Sequence, residues 1–267
     1  MKQSLSPTRN ARQILVKVPE ITAYFWITKV LTTGMGEATS DFLVYHLNQF
    51  VAVGLGGAGL VASLILQFSV RRYIAWIYWL VVVMVSIFGT MTADAMHVVL
   101  GIPYFISTTF FVVVLTVIFI AWYAVEKTLS IHSITTRKRE MFYWATVLAT
   151  FALGTATGDM TATTMHLGYF ASGVLFTVLI GIPALGYRLF RLNGIFAFWF
   201  AYIMTRPVGA SFADWISVPR SAGGLGTGKG LVSLVLTVAI FVMVGYLTVT
   251  RKDVKVEQLR HRRTTAG

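Results

Sequence analysis

The sequence predicts an all-α, polytopic membrane protein: eight transmembrane helices, arranged as four parallel helical-hairpin repeats around a pseudo-symmetry axis along the membrane normal. Three observations carry that expectation. First, 56% of the 267 residues are hydrophobic and only 12% are charged, against about 25% charged residues in typical soluble proteins. Second, eight apolar segments can be marked, each of about 20 residues and so long enough to cross a bilayer. Third, a Gly-x4-Asp motif occurs four times in one register, as Gly36-Glu-Ala-Thr-Ser-Asp41, Gly89-Thr-Met-Thr-Ala-Asp94, Gly154-Thr-Ala-Thr-Gly-Asp159 and Gly209-Ala-Ser-Phe-Ala-Asp214. A Trp precedes each Asp at one fixed distance (Trp26, Trp79, Trp144 and Trp199). Such self-similarity is the mark of an internally repeated fold.

In order, the apolar segments are 20–41, 50–69, 74–95, 104–125, 142–161, 168–190, 195–216 and 230–250. Irregular backbone cannot face lipid, so each reads as a helix. Val18-Pro19-Glu20 supplies a start for the first, with Pro in the first turn and an acid at the positive end of the dipole. The second carries Gly54, Gly56, Gly57 and Gly59, small residues that allow close helix packing. Tyr104-Phe105-Ile106-Ser107 and Tyr169-Phe170-Ala171-Ser172 stand in the same place after Asp94 and Asp159 and suit the membrane interface. The whole chain, 1–267, reads as a single transmembrane domain. Its repeats cover approximately 18–70, 71–127, 137–191 and 192–251, with basic tails at 1–17 and 252–267.

Charge sets the orientation. Of the 22 Lys and Arg, Lys29 and Arg206 lie within helices, and only Arg220 and Lys229 lie in the odd-to-even loops. The rest fall in the tails and the even-to-odd loops, so the positive-inside rule puts both termini in the cytoplasm of a multi-pass inner (plasma) membrane protein. All four Asp residues then sit at the outer ends of their helices. The net charge of +12 is accounted for by this topology, and no nucleic-acid partner is expected. With no Cys, a metal site would use oxygen and nitrogen ligands. The basic start before the first apolar run superficially resembles a signal peptide. That run contains Glu37 and Asp41, however, and reads as a retained helix.

The run Lys17-Val-Pro-Glu-Ile-Thr-Ala-Tyr-Phe-Trp-Ile-Thr-Lys-Val-Leu-Thr-Thr-Gly-Met-Gly-Glu-Ala-Thr-Ser-Asp41 resembles bacterial membrane-anchored proteins built from four copies of a repeat of unknown function. The resemblance covers nearly the whole chain and implies an eight-helix membrane protein, with no stated activity. The fourth repeat departs from the pattern, with Arg206-Pro207 ahead of Gly209 and no following His.

The candidate site is the acidic set. Glu37 and Asp41 are four apart on one helical face, and the position of Glu37 is Thr90, Thr155 and Ala210 in the other repeats. If the odd helices cluster with this face inward, Asp41, Asp94, Asp159 and Asp214 converge, with Glu37, Thr90 and Thr155 one turn deeper. Oxygen-rich sites of that kind suit hard divalent cations such as Mn²⁺, Mg²⁺ or Ca²⁺. Carboxylates that close call for a cation, for protons, or for both. His46, His97 and His166 follow the first three Asp residues at unequal offsets and are candidate outer ligands or proton carriers, or else exposed interfacial residues. His132 and His261 fall in basic cytoplasmic segments and read as solvated.

Lys29 either snorkels to the interface or serves as an internal counter-ion or gate. Arg206, close to mid-membrane, should avoid lipid and pair with a carboxylate, Glu37 first, or with a bound anion; Pro207 beside it should kink the helix. Gly223-Gly-Leu-Gly-Thr-Gly228-Lys229-Gly230 echoes a phosphate-binding loop. Gly230 replaces the required hydroxyl residue and no strand precedes it, so a flexible outer loop is expected.

The function expected from these residues is transport or export of a divalent, Mn-like metal cation, with the lipid bilayer and the ion as partners and homo-oligomerisation left open. Two alternatives stand beside it: a haem- or metal-binding redox protein with His97 and His166 as axial ligands and His46 in reserve, and a structural or sensory scaffold. No nucleophile paired with a base is visible, so an enzyme is not the expectation.

Overall fold

Eight α-helices make up most of the residues described by the computed structural model, 16–190 and 192–254. They are α1 (Ala23–His46), α2 (Gln49–Ser69), α3 (Ala75–Asp94), α4 (Tyr104–Glu126), α5 (Arg137–Asp159), α6 (Gly168–Phe190), α7 (Gly194–Ser217) and α8 (Lys229–Thr250). Five of them, α2, α3, α4, α6 and α8, are long and apolar enough to cross a membrane, which makes this a membrane protein. Their outward side chains fit lipid: Val117 on α4 is 58% exposed and Phe241 on α8 is 75% exposed.

The other three helices, α1, α5 and α7, hold their polar side chains inside. Thr28, Lys29, Thr32 and Glu37 on α1, Thr146, Thr150 and Thr155 on α5, and Thr205, Arg206 and Asp214 on α7 are all buried. Together with α3 they form a closed inner ring, α1 against α3, α3 against α5, α5 against α7 and α7 back against α1. The even helices lie outside it.

The hairpin description of the repeats is corrected by how the even helices pack. The two helices of one repeat touch little. Instead α2 packs on α3, α4 on α5, α6 on α7, and α8 on α1. Each repeat thus covers the inner helix of the next, and the last covers the first. The reason is visible on α2. A Cβ on Gly56 or Gly59 would meet Met91 Sδ or Met84 Sδ at 2.9 Å, and one on Gly57 would meet Phe88 at 3.2 Å, so this glycine face is fitted to α3. Gly54 faces open space and does not contribute.

Helix ends differ from the apolar boundaries where polar caps decide them. Helix α1 starts at Ala23, because Thr22 Oγ1 accepts the Phe25 amide at 3.4 Å. The expected start at Val18-Pro19-Glu20 is instead a strap across one end of the ring, tied by Lys17 N to Ile134 O (3.1 Å), Tyr73 N to Val16 O (3.2 Å) and Glu20 N to Asp253 O (2.9 Å). Helix α5 starts at Arg137, where Thr136 caps the Arg139 amide. Helix α7 runs unbroken through Pro207. The tails 1–15 and 255–267, with His261, and Arg191 lie outside the described residues.

Candidate functional site

The repeated glycine closes the ring. A Cβ on Gly36 would overlap Ser86 of α3, one on Gly89 would meet Phe151 of α5 at 2.8 Å, one on Gly154 would overlap Arg206 of α7, and one on Gly209 would overlap Thr33 of α1. The partner is in every case the residue three before the next repeat's own glycine (33 and 36, 86 and 89, 151 and 154, 206 and 209). The four contacts therefore follow one another round a cycle. Only glycine lets the backbones approach this closely, which gives the motif's Gly a packing role.

At the tryptophan end the ring is filled with rings. Each Trp is preceded by an aromatic residue, and Phe25, Tyr78, Tyr143 and Phe198 are all buried. Tyr78 and Tyr143 join hydroxyl to hydroxyl at 2.5 Å. One turn along, Lys29 is 1% exposed, so it does not snorkel to an interface. Its ammonium lies 4.0 Å from the centre of the Phe151 ring and 4.3 Å from that of Tyr202, and it has no hydrogen-bond partner. Its counter-charge is the negative face of two aromatic rings.

Midway along the ring sits a guanidinium hub. Arg206 is fully buried. Its Nη1 donates to Thr33 O at 3.0 Å, and its Nη2 donates to Glu37 Oε2 at 2.7 Å, to Thr155 Oγ1 at 2.7 Å and to Thr90 Oγ1. Glu37, Thr90 and Thr155 occupy the same repeat position, and Ala210 is the fourth. One arginine from the fourth repeat therefore binds the equivalent residue of the other three. The pairing with Glu37 is the one expected from depth.

Beyond the hub lie the repeated carboxylates. Oxygen atoms of Glu37, Asp41 and Asp214 come within 4.8 Å of one another. Asp94 and Asp159 do not join that close group; Asp94 has Glu37, Asp41 and Asp159 as acidic neighbours and Asp159 has Glu37, Asp214 and Asp41, with Arg206 as the opposing charge for both. Between Asp41 and Asp214 the Lys229 ammonium bridges both carboxylates. Sequence reasoning missed Lys229. The available signal was that it is one of only two bases in the odd-to-even loops.

The loop that delivers it is ordered, contrary to the expectation of a flexible tether. Gly224 N bonds Pro219 O, Leu225 N bonds Trp215 O, Gly226 N bonds Val218 O, Thr227 N bonds Ile216 O and Gly228 N bonds Ser217 O, at 2.8–3.2 Å. These bonds fold the loop back along the end of α7. The glycines are required by backbone shape: φ is 80° at Gly223, 77° at Gly226 and 87° at Gly228, a region other residues rarely adopt.

The histidines do not enter the acidic set. His46 is exposed and bonds Phe42 O through Nδ1 at 2.8 Å. His97 sits in a π-helical turn after Asp94, bonds Ile102 O at 2.9 Å and stacks on Tyr104. His166 is exposed with a φ of 57°. After Asp94 and Asp159 both helices pass into π-helical turns (Ala95–Val99 and Met160–Thr164) and end.

Among families, residues 24–73, 77–128, 142–192 and 197–253 each match the model described as a Repeat of Unknown Function (DUF347). No curated protein and no solved structure matches the chain.

Proposed function

The chain belongs to the family built from this repeat, four copies of which span most of its length, and on that premise we propose that it is a membrane carrier of a hard divalent cation such as Mn²⁺. In this reading all eight helices cross the inner membrane, both termini are cytoplasmic and the aspartate end faces outward. The observation that carries it is the seating of Lys229 between Asp41 and Asp214. The chain supplies a cation of its own to a place where carboxylates crowd. Glu37, Asp41 and Asp214 lie within 4.8 Å of one another beside Arg206 and Lys229, and Asp94 and Asp159 stand near them, so acids outnumber bases at this end. Carboxylate oxygens of that density suit Mn²⁺, Mg²⁺ or Ca²⁺. Asp41, Asp94, Asp159 and Asp214 are the ligands in this reading and Glu37 the deeper one. Arg206 and Lys29 balance charge, and His46, His97 and His166 are left at the rim.

The test is isothermal titration of the detergent-purified full chain with Mn²⁺, followed by the Asp94→Asn/Asp159→Asn double variant. Saturable binding that weakens at least tenfold, about 1.4 kcal/mol, in the double variant is expected. No saturable binding in the wild type, or an unchanged affinity in the variant, would remove the proposal.

A further inference from the structure

The tryptophan end contains a row of polar groups, none of which is a cation ligand in that reading. It begins at Lys29, whose amine is buried without a hydrogen-bond partner against the faces of Phe151 and Tyr202. The Tyr202 hydroxyl is fully buried, makes no close hydrogen bond, and has Tyr143 as its electrostatic neighbour. Tyr143 and Tyr78 are bonded at 2.5 Å. Tyr78 packs edge-on to Tyr73 with ring centres 5.6 Å apart, and the Tyr73 hydroxyl donates to Asp253 Oδ2. Asp253 is 2% exposed, and its other oxygen, Oδ1, has no hydrogen-bond partner. The row therefore starts at a buried amine beside the hub and ends at a carboxyl under the strap, just beyond the last turn of α8.

We propose that Lys29, Tyr202, Tyr143, Tyr78, Tyr73 and Asp253 form a proton path from the middle of the ring to its tryptophan end, so that the carrier exchanges its cation against protons. The proposal rests on the cation-carrier reading. In the step, the Lys29 ammonium gives up one proton. Each tyrosine oxygen takes a proton on one side as it releases its own on the other, and Asp253 Oδ2, which accepts from the Tyr73 hydroxyl, receives the last. Each tyrosine ends with as many protons as it began with, and only Lys29 and Asp253 change charge.

Two features of the site fit this use. Arg206 is the charged group that faces Lys29 from α7, and from α5 the Phe151 ring lies against its amine. A cation arriving at Glu37 and Asp41 competes for the carboxylate that Arg206 holds and so raises the positive potential at Lys29, in the direction that expels its proton. At the other end, Asp253 faces Tyr73, while neighbouring Lys252 is turned away toward Tyr24 and Tyr246. Burial holds the Asp253 carboxyl above the ordinary carboxylate range, which suits a proton acceptor. Crossing the gaps between Lys29 and Tyr202, between Tyr202 and Tyr143 and between Tyr78 and Tyr73 takes side-chain rotation or a bridging water, both much faster than a carrier cycle.

The experiment uses the full chain in liposomes loaded with a pH-sensitive dye, with a Mn²⁺ gradient imposed and Mn²⁺ flux followed in parallel. Wild type is expected to move protons as Mn²⁺ moves. Lys29→Arg keeps the positive charge but cannot release a proton, and Tyr143→Phe keeps the ring but removes the hydroxyl. Tyr143→Phe should bind Mn²⁺ within about threefold of wild type, under 1 kcal/mol, and both variants should lose proton movement at least tenfold. Tyr24→Phe, outside the row, should leave it unchanged. Mn²⁺ flux without proton movement in wild type, or normal proton movement in both variants, overturns the path and leaves the carrier reading standing. Absence of both Mn²⁺ binding and flux in wild type overturns the carrier reading itself. Should Lys29→Arg fail to give a monodisperse protein, Tyr143→Phe and Tyr78→Phe carry the same decision.

Discussion

Removing Arg206 tests the hub most directly. In Arg206→Met the side chain keeps its bulk, but Glu37, itself 3% exposed, loses the guanidinium it is paired with. Thr90 and Thr155 suffer less, because their hydroxyls still donate to Ser86 O at 2.9 Å and Phe151 O at 3.2 Å. The cost is therefore dominated by one buried, unpaired carboxylate, about 3–5 kcal/mol. In a chain of this size each kcal/mol moves the melting point by roughly 2–4 °C, so a fall of about 6–20 °C is expected. Replacing both partners, as Arg206→Met/Glu37→Leu, removes the unpaired charge. It should recover at least about 3 kcal/mol relative to the sum of the single changes. The assay is thermal unfolding in detergent, followed by the fluorescence of the seven tryptophans at one fixed scan rate. A fall of less than about 2 °C in Arg206→Met, or a double variant that merely adds the two single effects, refutes the hub as a coupled ion pair.

Two further outcomes follow from the same geometry. Lys229 occupies the space between Asp41 and Asp214 that an incoming cation needs, so Lys229→Met should tighten Mn²⁺ binding about tenfold, or 1.4 kcal/mol, while Lys229→Arg stays near wild type. Titration calorimetry reads this, and an unchanged or weakened affinity in Lys229→Met contradicts the competition. Gly209→Ala should destabilise by about 1–3 kcal/mol through overpacking, since its Cβ would collide with Thr33 and meet Gly34 N at 2.8 Å. Gly245→Ala, with nothing within 4 Å, should gain up to about 1 kcal/mol from helix propensity. Equal melting points for the two would argue against the glycine-closed ring.

Repetition made much of this legible from the sequence, and packing explains what was missed. Apolar length and the fourfold Gly-x4-Asp register pointed to an all-helical repeat protein, and depth alone pointed from Arg206 to Glu37. The spacing along one chain does not say which helix a helix will lie against, and for that reason the sequence suggested hairpins where each repeat covers its neighbour. The same limit hid Lys229. Its loop looked flexible because its glycines were read as freedom, whereas positive φ at Gly223, Gly226 and Gly228 and five backbone bonds to the end of α7 and the two residues after it make them the means of folding back. The tyrosine row was invisible for a different reason. Tyr73, Tyr78, Tyr143 and Tyr202 come from three repeats, and nothing in their order marks their hydroxyls as neighbours.

The pattern of likeness and difference among the repeats is itself a consequence of the ring. A position packed between neighbouring helices meets the same surroundings four times and can keep one residue, as Gly36, Gly89, Gly154 and Gly209 do against the next helix. A position turned to the axis meets its own copies, and four identical long side chains cannot share that space. Residues there have to differ. One level holds Glu37, Thr90, Thr155 and Ala210, and a single arginine reaches the first three. The level below holds Lys29, Val82, Val147 and Tyr202, and one amine rests against one ring. Asp41, Asp94, Asp159 and Asp214 break this rule by repeating a charge where like charges stand near one another. Repulsion among identical carboxylates is costly unless a cation offsets it. Lys229 provides part of that offset for Asp41 and Asp214, and no comparable base pairs with Asp94 or Asp159 among the described residues. A ring that diversifies its axis elsewhere yet keeps four acids at one end concentrates its unoffset like charge on the side of Asp94 and Asp159, where a proton or a cation would relieve it.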